Sequence, residues 1–300
     1  MDLREIEKIR MLTLQAMFSD DNLLGKLALK GGNAIDLIYN VSSRSSLDID
    51  FSINEDFDDI EDTNVRIKNT LEKTFSEHGM TVIDYKFEKK PRLDPENDEM
   101  LFWGGYSVEF KVVDDFILTR YKGDRQRLSM MAKDVGPGSL KKFSIDISKH
   151  EHCAEKVSFM LDGLTIYVYT PEMIVYEKIR ALCQQTTEYR KKIRSGNLKP
   201  RAADFLDIYI IMKKLKPDIY SAVNLDTLNK MFAIKDVPVD YIKLLRNYKE
   251  FHKQGFDQVR ATVKIGEEQL KPFEFYFEFV IEIAINLLDK IISIDLNSQS

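Results

Sequence analysis

The clearest pattern of hydrophobic and polar positions is the alternation in SLDIDFSI, at residues 46–53. Successive side chains of a β-strand point to opposite faces, so this period of two predicts a strand. Similar patterns predict further strands in KLALKGG, TVIDYKFEK, GYSVEFKVV, KKFSIDIS and LTIYVYT. All of these segments lie before about residue 170, so this part of the chain is predicted to form a mixed β-sheet.

Helical periodicity accounts for most of the other segments. It predicts helices at residues 2–19, in NAIDLIY, at residues 63–78 and at about residues 115–131, with Gly79 ending the third. From TPEMIVYEKIRALCQ onward almost every segment is predicted to be helical. Thr170 is a suitable N-cap for the first of these later helices, because its hydroxyl can accept a bond from an exposed backbone N–H.

The order of these elements predicts an α+β protein, with a sheet domain at residues 1–170 followed by a helical domain at residues 171–300. The most apolar segment, PFEFYFEFVIEIAINLLDKII, belongs to the helical part. It carries Glu274, Glu278 and Glu282 at intervals of four, which places an acidic stripe on one side of a helix. Three carboxylates disfavour a membrane span, so a packed C-terminal helix is predicted.

Composition and charge narrow the class of protein. A content of 44% hydrophobic and 31% charged residues is ordinary for a globular chain. The two cysteines, Cys153 and Cys183, and the charged start MDLREIEKIR favour a cytoplasmic protein with no membrane partner. The net charge of −5 gives no overall attraction to nucleic acid, so any site for a polyanion must be local.

Two aspartates in the predicted strand SLDIDFSI are candidate metal ligands. Asp48 and Asp50 are two residues apart and therefore share one face, where their like charges repel each other. A cation between them would remove this repulsion, and Mg²⁺ prefers carboxylate oxygens. The pair alone is weak support for a metal site, because aspartates are common at strand ends.

The segment before this strand has features of a phosphate-binding turn. Gly31 and Gly32 allow the backbone to approach a phosphate, and a helix that begins near Asn33 offers N–H donors. The alternative is a strand-to-helix turn that needs a positive φ, which explains one glycine better than two. Arg44 and Ser46, with Ser45 between them, either contact a triphosphate or belong to a solvated loop.

Asp146 in KKFSIDIS is a third candidate carboxylate. By alternation it shares a face with Ser144 and Ser148, and aspartate is disfavoured within a strand. If its strand lies beside that of Asp48 and Asp50, three carboxylates would meet. Such a cluster suits two-metal phosphoryl transfer.

The predicted helices carry a second group of charged candidates. Lys178 lies in VYEKIRAL, while Arg201, Asp204 and Asp207 lie in RAADFLDIY. Arg201 and Asp204 share a helix face, with Asp207 about one turn further along. The alternative for all four residues is ordinary ion pairing on the protein surface.

Four motifs in order resemble the AbiEii/AbiGii family of nucleotidyltransferase-like toxins, within the polymerase-β-type nucleotidyltransferase superfamily. They are LKGGNAIDLIY with SRSSLDIDFSI, then SIDIS, then PEMIVYEKIRAL, and finally RAADFLDIYII. Together they cover roughly residues 27–212, and four ordered motifs are more specific than any single one. The resemblance implies a nucleotidyltransferase-like sheet lobe followed by a helical lobe, with an NTP as substrate.

The resemblance also implies roles for individual residues. Asp48 and Asp50 match the metal-binding pair, with Asp146 as the least distinctive third carboxylate, so Mg²⁺ or Mn²⁺ is the expected metal. Gly32 and Asn33, next to Gly31, match the phosphate-binding turn, although Asn33 replaces the usual serine. The link from this turn to the acidic pair is also longer than usual.

The helical motifs match the remaining expected site residues. Lys178 matches a lysine that holds the phosphates of the nucleotide. Asp204 matches the acidic residue of the last motif, with Arg201 beside it, and completes the expected catalytic carboxylates.

The acceptor is expected to be RNA. EYRKKIRSGNLKPR, which is predicted to be a loop, and RYKGDRQR at residues 120–127 are basic clusters that could follow an RNA backbone, although solvated loops are the alternative. The resemblance favours RNA, in particular tRNA, and implies an antitoxin partner and a role in abortive infection against phage. Two alternatives stay open: a toxin that nucleotidylates or phosphorylates a protein with the same site, and a non-catalytic NTP-binding protein.

Overall fold

The structure, a computed structural model, describes residues 3–41, 48–91, 103–135, 139–193, 197–263 and 270–298. The chain divides into two compact units. The first comprises Met1–Lys30 with Ser46–Val168, and the second comprises Gly31–Ser45 with Tyr169–Ser300. The sequence prediction assigned all of residues 1–170 to one domain, whereas the segment that begins at Gly31 is grouped with the second unit.

The first unit contains one mixed sheet of seven strands. They are β1 Ala28–Lys30, β2 Ile49–Ser52, β3 Met80–Lys90, β4 Gly105–Asp114, β5 Phe143–Ser148, β6 Val157–Leu161 and β7 Leu164–Val168. Their spatial order is β3-β4-β5-β2-β1-β7-β6. The pairs β2/β5 and β1/β7 are parallel and the other neighbours are antiparallel. The predicted mixed sheet is confirmed, and β6 is a strand that the alternation pattern missed.

The helices follow the predicted order but differ in extent. They are α1 Leu3–Phe18, α2 Asp21–Lys26, α3 Gly31–Asn33, α4 Ile60–Ser76, α5 Asp115–Arg120, α6 Arg125–Met130, α7 Pro171–Cys183, α8 Thr187–Ile193, α9 Ala202–Lys214, α10 Ala222–Ala233, α11 Lys249–Lys253, α12 Phe256–Thr262 and α13 Phe273–Ser298. A π-helical turn lies at Ala34–Ile38 and a 3-10 helix at Val239–Tyr248.

Alternation along the central strands builds the core of the first unit. Ile49 and Phe51 of β2 are fully buried, and they lie opposite Ile145 and Ile147 of β5. Each such buried side chain contributes about 1.5–3 kcal/mol through the hydrophobic effect. The residues between them, above all Asp50 and Asp146, therefore belong to the other face of the sheet.

Capping and turn residues determine where the helices of the first unit begin and end. The Asp59 carboxylate accepts the backbone N–H of Asp62 at 2.9 Å, so α4 begins three residues before the predicted start at residue 63. The chain turns after α4 at Gly79, with φ of +72°. The helix predicted at residues 115–131 is instead two helices, because the chain turns at Gly123 with φ of +89°.

Aromatic packing and a predicted cap organise the second unit. The Thr170 hydroxyl accepts the Met173 N–H at 3.2 Å, which confirms the predicted N-cap of α7. Phe205 of α9 lies 5.2 Å from Phe273 and 5.4 Å from Phe277 of α13, measured between ring centroids. Within the described residues, no helix combines the length and the apolar character that crossing a membrane requires.

Candidate active site

The acidic candidates of the first unit meet on one face of its sheet. Asp50 of β2 lies directly opposite Asp146 of β5 and, on its other side, opposite Lys30 of β1. Asp146 in turn lies opposite Ser107 of β4. Directly opposed residues point to the same face, so these four side chains form a polar row across four strands. The strand of Asp146 is thus a neighbour of that of Asp50, and the catalytic role of both stays a prediction.

Asp48 precedes the strand that it was predicted to share with Asp50. β2 begins at Ile49, and Asp48 is an exposed residue just before it. The hydroxyl of Ser144, near the start of β5, donates a hydrogen bond to the Asp48 carboxylate. Asp48 is therefore held at the beginning of the β2/β5 pair by a neighbouring strand.

Two lysines supply positive charge to this face. Lys90, the last residue of β3, places its Nζ 2.8 Å from Oδ1 of Asp146. Lys30 is buried, and its Nζ donates to the Ser148 hydroxyl at 3.1 Å and lies 3.8 Å from Oε1 of Glu151. Both lysines offset part of the carboxylate repulsion. Neither lysine was predicted from the sequence, although Lys30 directly precedes the glycine turn.

The donor atoms of this face fit a magnesium ion that a substrate helps to hold. Mg²⁺ commonly takes one or two protein carboxylates and completes its shell with water and phosphate oxygens. Asp48 and Asp50 provide such oxygens. Within the described residues, however, no three His, Cys, Asp or Glu side chains converge on one metal position. Asp146, whose carboxylate is bonded to Lys90, does not complete the expected three-carboxylate cluster, and the metal role stays a prediction.

The glycine turn follows β1 directly. Gly31 has φ of +67°, a left-handed conformation that favours glycine, whereas Gly32 and Asn33 continue into a helical turn and are buried. The need for a positive φ in the strand-to-helix turn therefore explains the glycine at position 31. Phosphate binding by this turn stays a prediction. Arg44 and Ser46 lie outside the described residues.

The charged candidates of the second unit form a buried network. The Lys178 Nζ lies 2.9 Å from Oδ1 of Asp204 and 2.8 Å from Oδ2 of Asp207. Arg201 donates to the second oxygen of Asp204. Lys178 and both aspartates are buried, so the alternative of ordinary surface ion pairs is wrong for these three, while Arg201 is 35% exposed. The network joins α7 to α9.

Opposing effects act on the carboxyl group of Asp204. Burial alone would raise its pKa, but the charges and hydrogen bonds of Arg201 and Lys178 hold the pKa of Asp204 well below its usual range. Asp204 is therefore ionised inside the protein. The ammonium of Lys178 is engaged by two carboxylates, which favours a structural role over the expected contact with nucleotide phosphates.

His252 supports this network and was missed by the sequence analysis. Its Nδ1 accepts the backbone N–H of Arg201 at 3.1 Å, and the side chain is completely buried. Burial lowers the pKa of His252 to about 4, although the nearby Asp204 carboxylate acts in the opposite direction. His252 is thus neutral at physiological pH. No sequence pattern links it to Arg201, because 51 residues separate the two.

The two basic clusters differ in their surroundings. In the first, the guanidinium carbons of Arg120, which ends α5, and of Arg127, which lies in α6, are 5.6 and 5.5 Å from the ring centroid of Tyr121, and both arginines are exposed. The second was predicted to be a loop, but residues 187–193 form α8. There, Arg190 donates to the carbonyl of Asn197 at 3.0 Å.

The chain is similar to known proteins both in its sequence family and in its fold. The family model described as nucleotidyl transferase AbiEii toxin, type IV toxin–antitoxin system, matches residues 12–278. A Helicobacter pylori protein proposed to be a nucleotidyltransferase superposes with a TM-score of 0.51 and 14% identity, over 97% of this chain and 99% of that one. JHP933 from Helicobacter pylori superposes with a TM-score of 0.49 and 15% sequence identity, over 99% of this chain and 97% of that one. No curated protein matches the sequence significantly.

Proposed function

Because the chain belongs to the AbiEii family of nucleotidyl transferase toxins from type IV toxin–antitoxin systems, we propose that it transfers a nucleotide from an NTP to RNA, with tRNA as acceptor. Family membership makes the chain a nucleotidyltransferase and a toxin with an antitoxin partner. The acceptor, the metal and the biological role belong to the proposal. We place the reaction in the cytoplasm, where NTPs and tRNA occur together.

The observation that carries the proposal is the register that sets Asp50 opposite Asp146 on parallel strands. The pairing concentrates negative charge on a sheet face to which Lys30 and Lys90 supply positive charge. In the proposal, Asp48 and Asp50 hold Mg²⁺, or Mn²⁺ in its place, together with the NTP phosphates. When bound, such an ion activates the acceptor hydroxyl and stabilises the charge on the leaving pyrophosphate.

The residues around the carboxylates position them for this task. In the proposal, the Ser144 hydroxyl orients Asp48 before substrate arrives, and the buried Lys30, which lies opposite Asp50, supplies positive charge beside it. Preorganised groups lower the cost of reaching the transition state, because they need not rearrange during the reaction. Lys90 compensates Asp146 at the outer side of the row.

Labelled substrates test the reaction and its acceptor together. The purified protein is incubated with Mg²⁺, total tRNA, a cell extract and each NTP in turn, labelled at the α or the γ phosphate. We expect α label in tRNA. An α label found only in protein would indicate protein nucleotidylation, and a γ label in protein would indicate phosphorylation. If no macromolecule is labelled, the protein is a non-catalytic NTP binder.

A role in phage defence is tested in cells. The toxin gene with its antitoxin gene is expressed from its own promoter, and phage plating efficiency is compared with that of the Asp50→Asn variant. We expect protection only with the unaltered aspartate. Equal plating on both strains would contradict the defence role, while leaving the reaction itself intact.

A further inference from the structure

β6 forms one edge of the seven-stranded sheet and pairs only with β7 within the described residues. The two strands are joined by a two-residue turn, Asp162–Gly163, in which both residues have positive φ. The pair that closes such a hairpin, Leu161 with Leu164, exchanges backbone hydrogen bonds. Hydrogen-bonded pairs then occur at every second residue, so Phe159 and Val157 also bond to β7. The backbone groups of Ser158 and Met160 therefore face away from β7.

This edge lacks the features that protect other sheet edges. Residues 157–161, VSFML, contain no charge and no proline, and the side chain of Met160 is 69% exposed. The opposite edge, β3, carries charged residues along its second half and a β-bulge between Ile83 and Lys86. Charges and bulges prevent a further strand from pairing, so β3 is protected and β6 is not.

We propose that two copies of this chain associate by antiparallel pairing of their β6 strands, centred on Phe159. In this register Ser158 of one copy lies opposite Met160 of the second copy, and the outward backbone groups of both residues meet. Four backbone hydrogen bonds form as a result. Phe159 faces its own counterpart, and Val157 faces Leu161, so apolar side chains meet on one face.

The charges that flank the strand are complementary in the same register. Lys156 precedes β6 and Asp162 follows it. Lys156 donates to the carbonyls of Gly25 and Leu27, and Asp162 accepts from the Gln15 amide. The Lys156 Nζ also lies 4.6 Å from the ring centroid of Tyr167, so within the described residues the contacts of Lys156 and of Asp162 are with uncharged groups. Antiparallel pairing brings the lysine of one copy to the aspartate of the other at both ends, whereas parallel pairing would oppose like charges.

Proline substitution at Ser158 tests the hydrogen bonds. Proline removes an N–H that faces outward and leaves the bonds to β7 in place, a position where edge strands tolerate it. The molar mass measured by light scattering should rise with the concentration of the full chain and approach twice the chain mass of 34.9 kDa. Ser158→Pro should weaken the dimer at least tenfold, whereas Ser158→Ala should not. A wild-type chain that stays monomeric at the highest concentration would overturn the proposal.

Cysteine cross-linking tests the register independently. Residues that face each other at a non-hydrogen-bonded antiparallel position lie within disulfide range. Phe159→Cys should therefore form a disulfide-linked dimer under mild oxidation. Met160→Cys should not, because residue 160 of one copy lies opposite residue 158 of the second copy, two positions away from its residue 160. A dimer that Phe159→Cys cannot cross-link, or a monomer whose β6 edge instead binds an antitoxin strand, would also overturn the proposal.

Discussion

Asp50 lies between a lysine and an aspartate on the neighbouring strands, so its carboxylate has one attractive and one repulsive neighbour. The attraction to Lys30 offsets part of the repulsion from Asp146, and affinity of this face for a metal ion stays a prediction. The Asp50 carboxylate does not contribute to the hydrophobic core, because the buried side chains of this strand are Ile49 and Phe51 on the opposite face. Activity and stability can therefore be separated at this position.

The first prediction concerns Asp50→Asn. We expect nucleotidyl transfer to fall by roughly 10²-fold or more, the usual size of effect when one transition-state-stabilising group is lost. Circular dichroism and thermal unfolding should stay unchanged. Asp58→Asn is the matched control, because the Asp58 side chain is 91% exposed and pairs with Lys26. Growth arrest by Asp50→Asn at the wild-type level would contradict catalysis at this face.

Lys90→Met tests whether the lysine competes with a metal ion at Asp146. Removing the ammonium frees a carboxylate and takes away a positive charge, so Mn²⁺ should bind several-fold more tightly in an electron paramagnetic resonance titration. The urea midpoint should not change, since exposed ion pairs contribute little to stability. The control is Lys89→Met, on the other face of β3. Equal Mn²⁺ affinity in both variants would show that Lys90 does not occupy a metal position.

His252 predicts a pH dependence of stability. Its pKa is about 4 in the folded chain and near 6.5 when unfolded, so the unfolded state binds more protons between these values. Stability should therefore fall as the pH drops from 6.5 to about 4, by about 3 kcal/mol in total. His252→Asn should flatten this part of the urea-unfolding profile, and the exposed His78→Asn should not. An unchanged slope in His252→Asn would show that other groups are responsible.

At the scale of secondary-structure elements, one ammonium group links two helices. Lys178 of α7 bonds to Asp204 and Asp207, which lie one turn apart on α9. Removing one partner of a buried ion pair leaves an uncompensated charge in a medium of low polarity. The network is therefore a determinant of how α7 and α9 pack.

Lys178→Met is predicted to destabilise the chain by about 3–5 kcal/mol, because buried Asp207 loses the cation bonded to it and buried Asp204 keeps only Arg201. The urea midpoint should fall accordingly, while Lys243→Met, which removes an exposed lysine paired with Asp240, should change it little. A triple variant that also carries Asp204→Asn and Asp207→Asn should recover part of the loss. If Lys178→Met is as stable as the wild type, the lysine is available for a nucleotide after all.

Individual elements show how far the sequence predicts this fold. Alternation predicted β2 and β5 and placed Asp50 and Asp146 on polar faces, but no local pattern specifies that the two strands are parallel neighbours. β6 was missed because VSFML does not alternate. Charged residues on helices usually indicate a surface, so the burial of Lys178 could not be predicted from its own helix. Long-range contacts, such as that of His252 with Arg201, have no sequence signal.

At the scale of the whole molecule, the net charge of −5 opposes RNA, so any contact with RNA must come from local clusters. The turn between α5 and α6 offers exposed cations and the aromatic ring of Tyr121 together. Aromatic rings next to arginines suit stacking with bases, and the cations suit phosphates. The second cluster is partly engaged, since Lys192 pairs with Asp236 and Arg190 with the backbone.

The combined variant Arg120→Gln, Lys122→Gln and Arg127→Gln is predicted to weaken tRNA binding and to reduce the slope of log affinity against log salt by about 0.7–0.9 for each lost phosphate contact. Truncating the exposed lysines of residues 190–199 tests the second cluster in the same filter-binding assay. Lys243→Gln serves as the control for an exposed lysine elsewhere. If neither cluster affects affinity or its salt dependence, the acceptor binds another surface.

The order in which the strands are joined also has a consequence for synthesis. β1 has β7 as its parallel neighbour, and β2 has β5, so the centre of the sheet unites segments that are about a hundred residues or more apart along the chain. Non-local pairs of this kind form late in folding. A ribosome must therefore release residues up to Ser148 before β5 can pair with β2 and bring Asp146 beside Asp50, so the aspartate face cannot assemble until almost half of the chain has emerged.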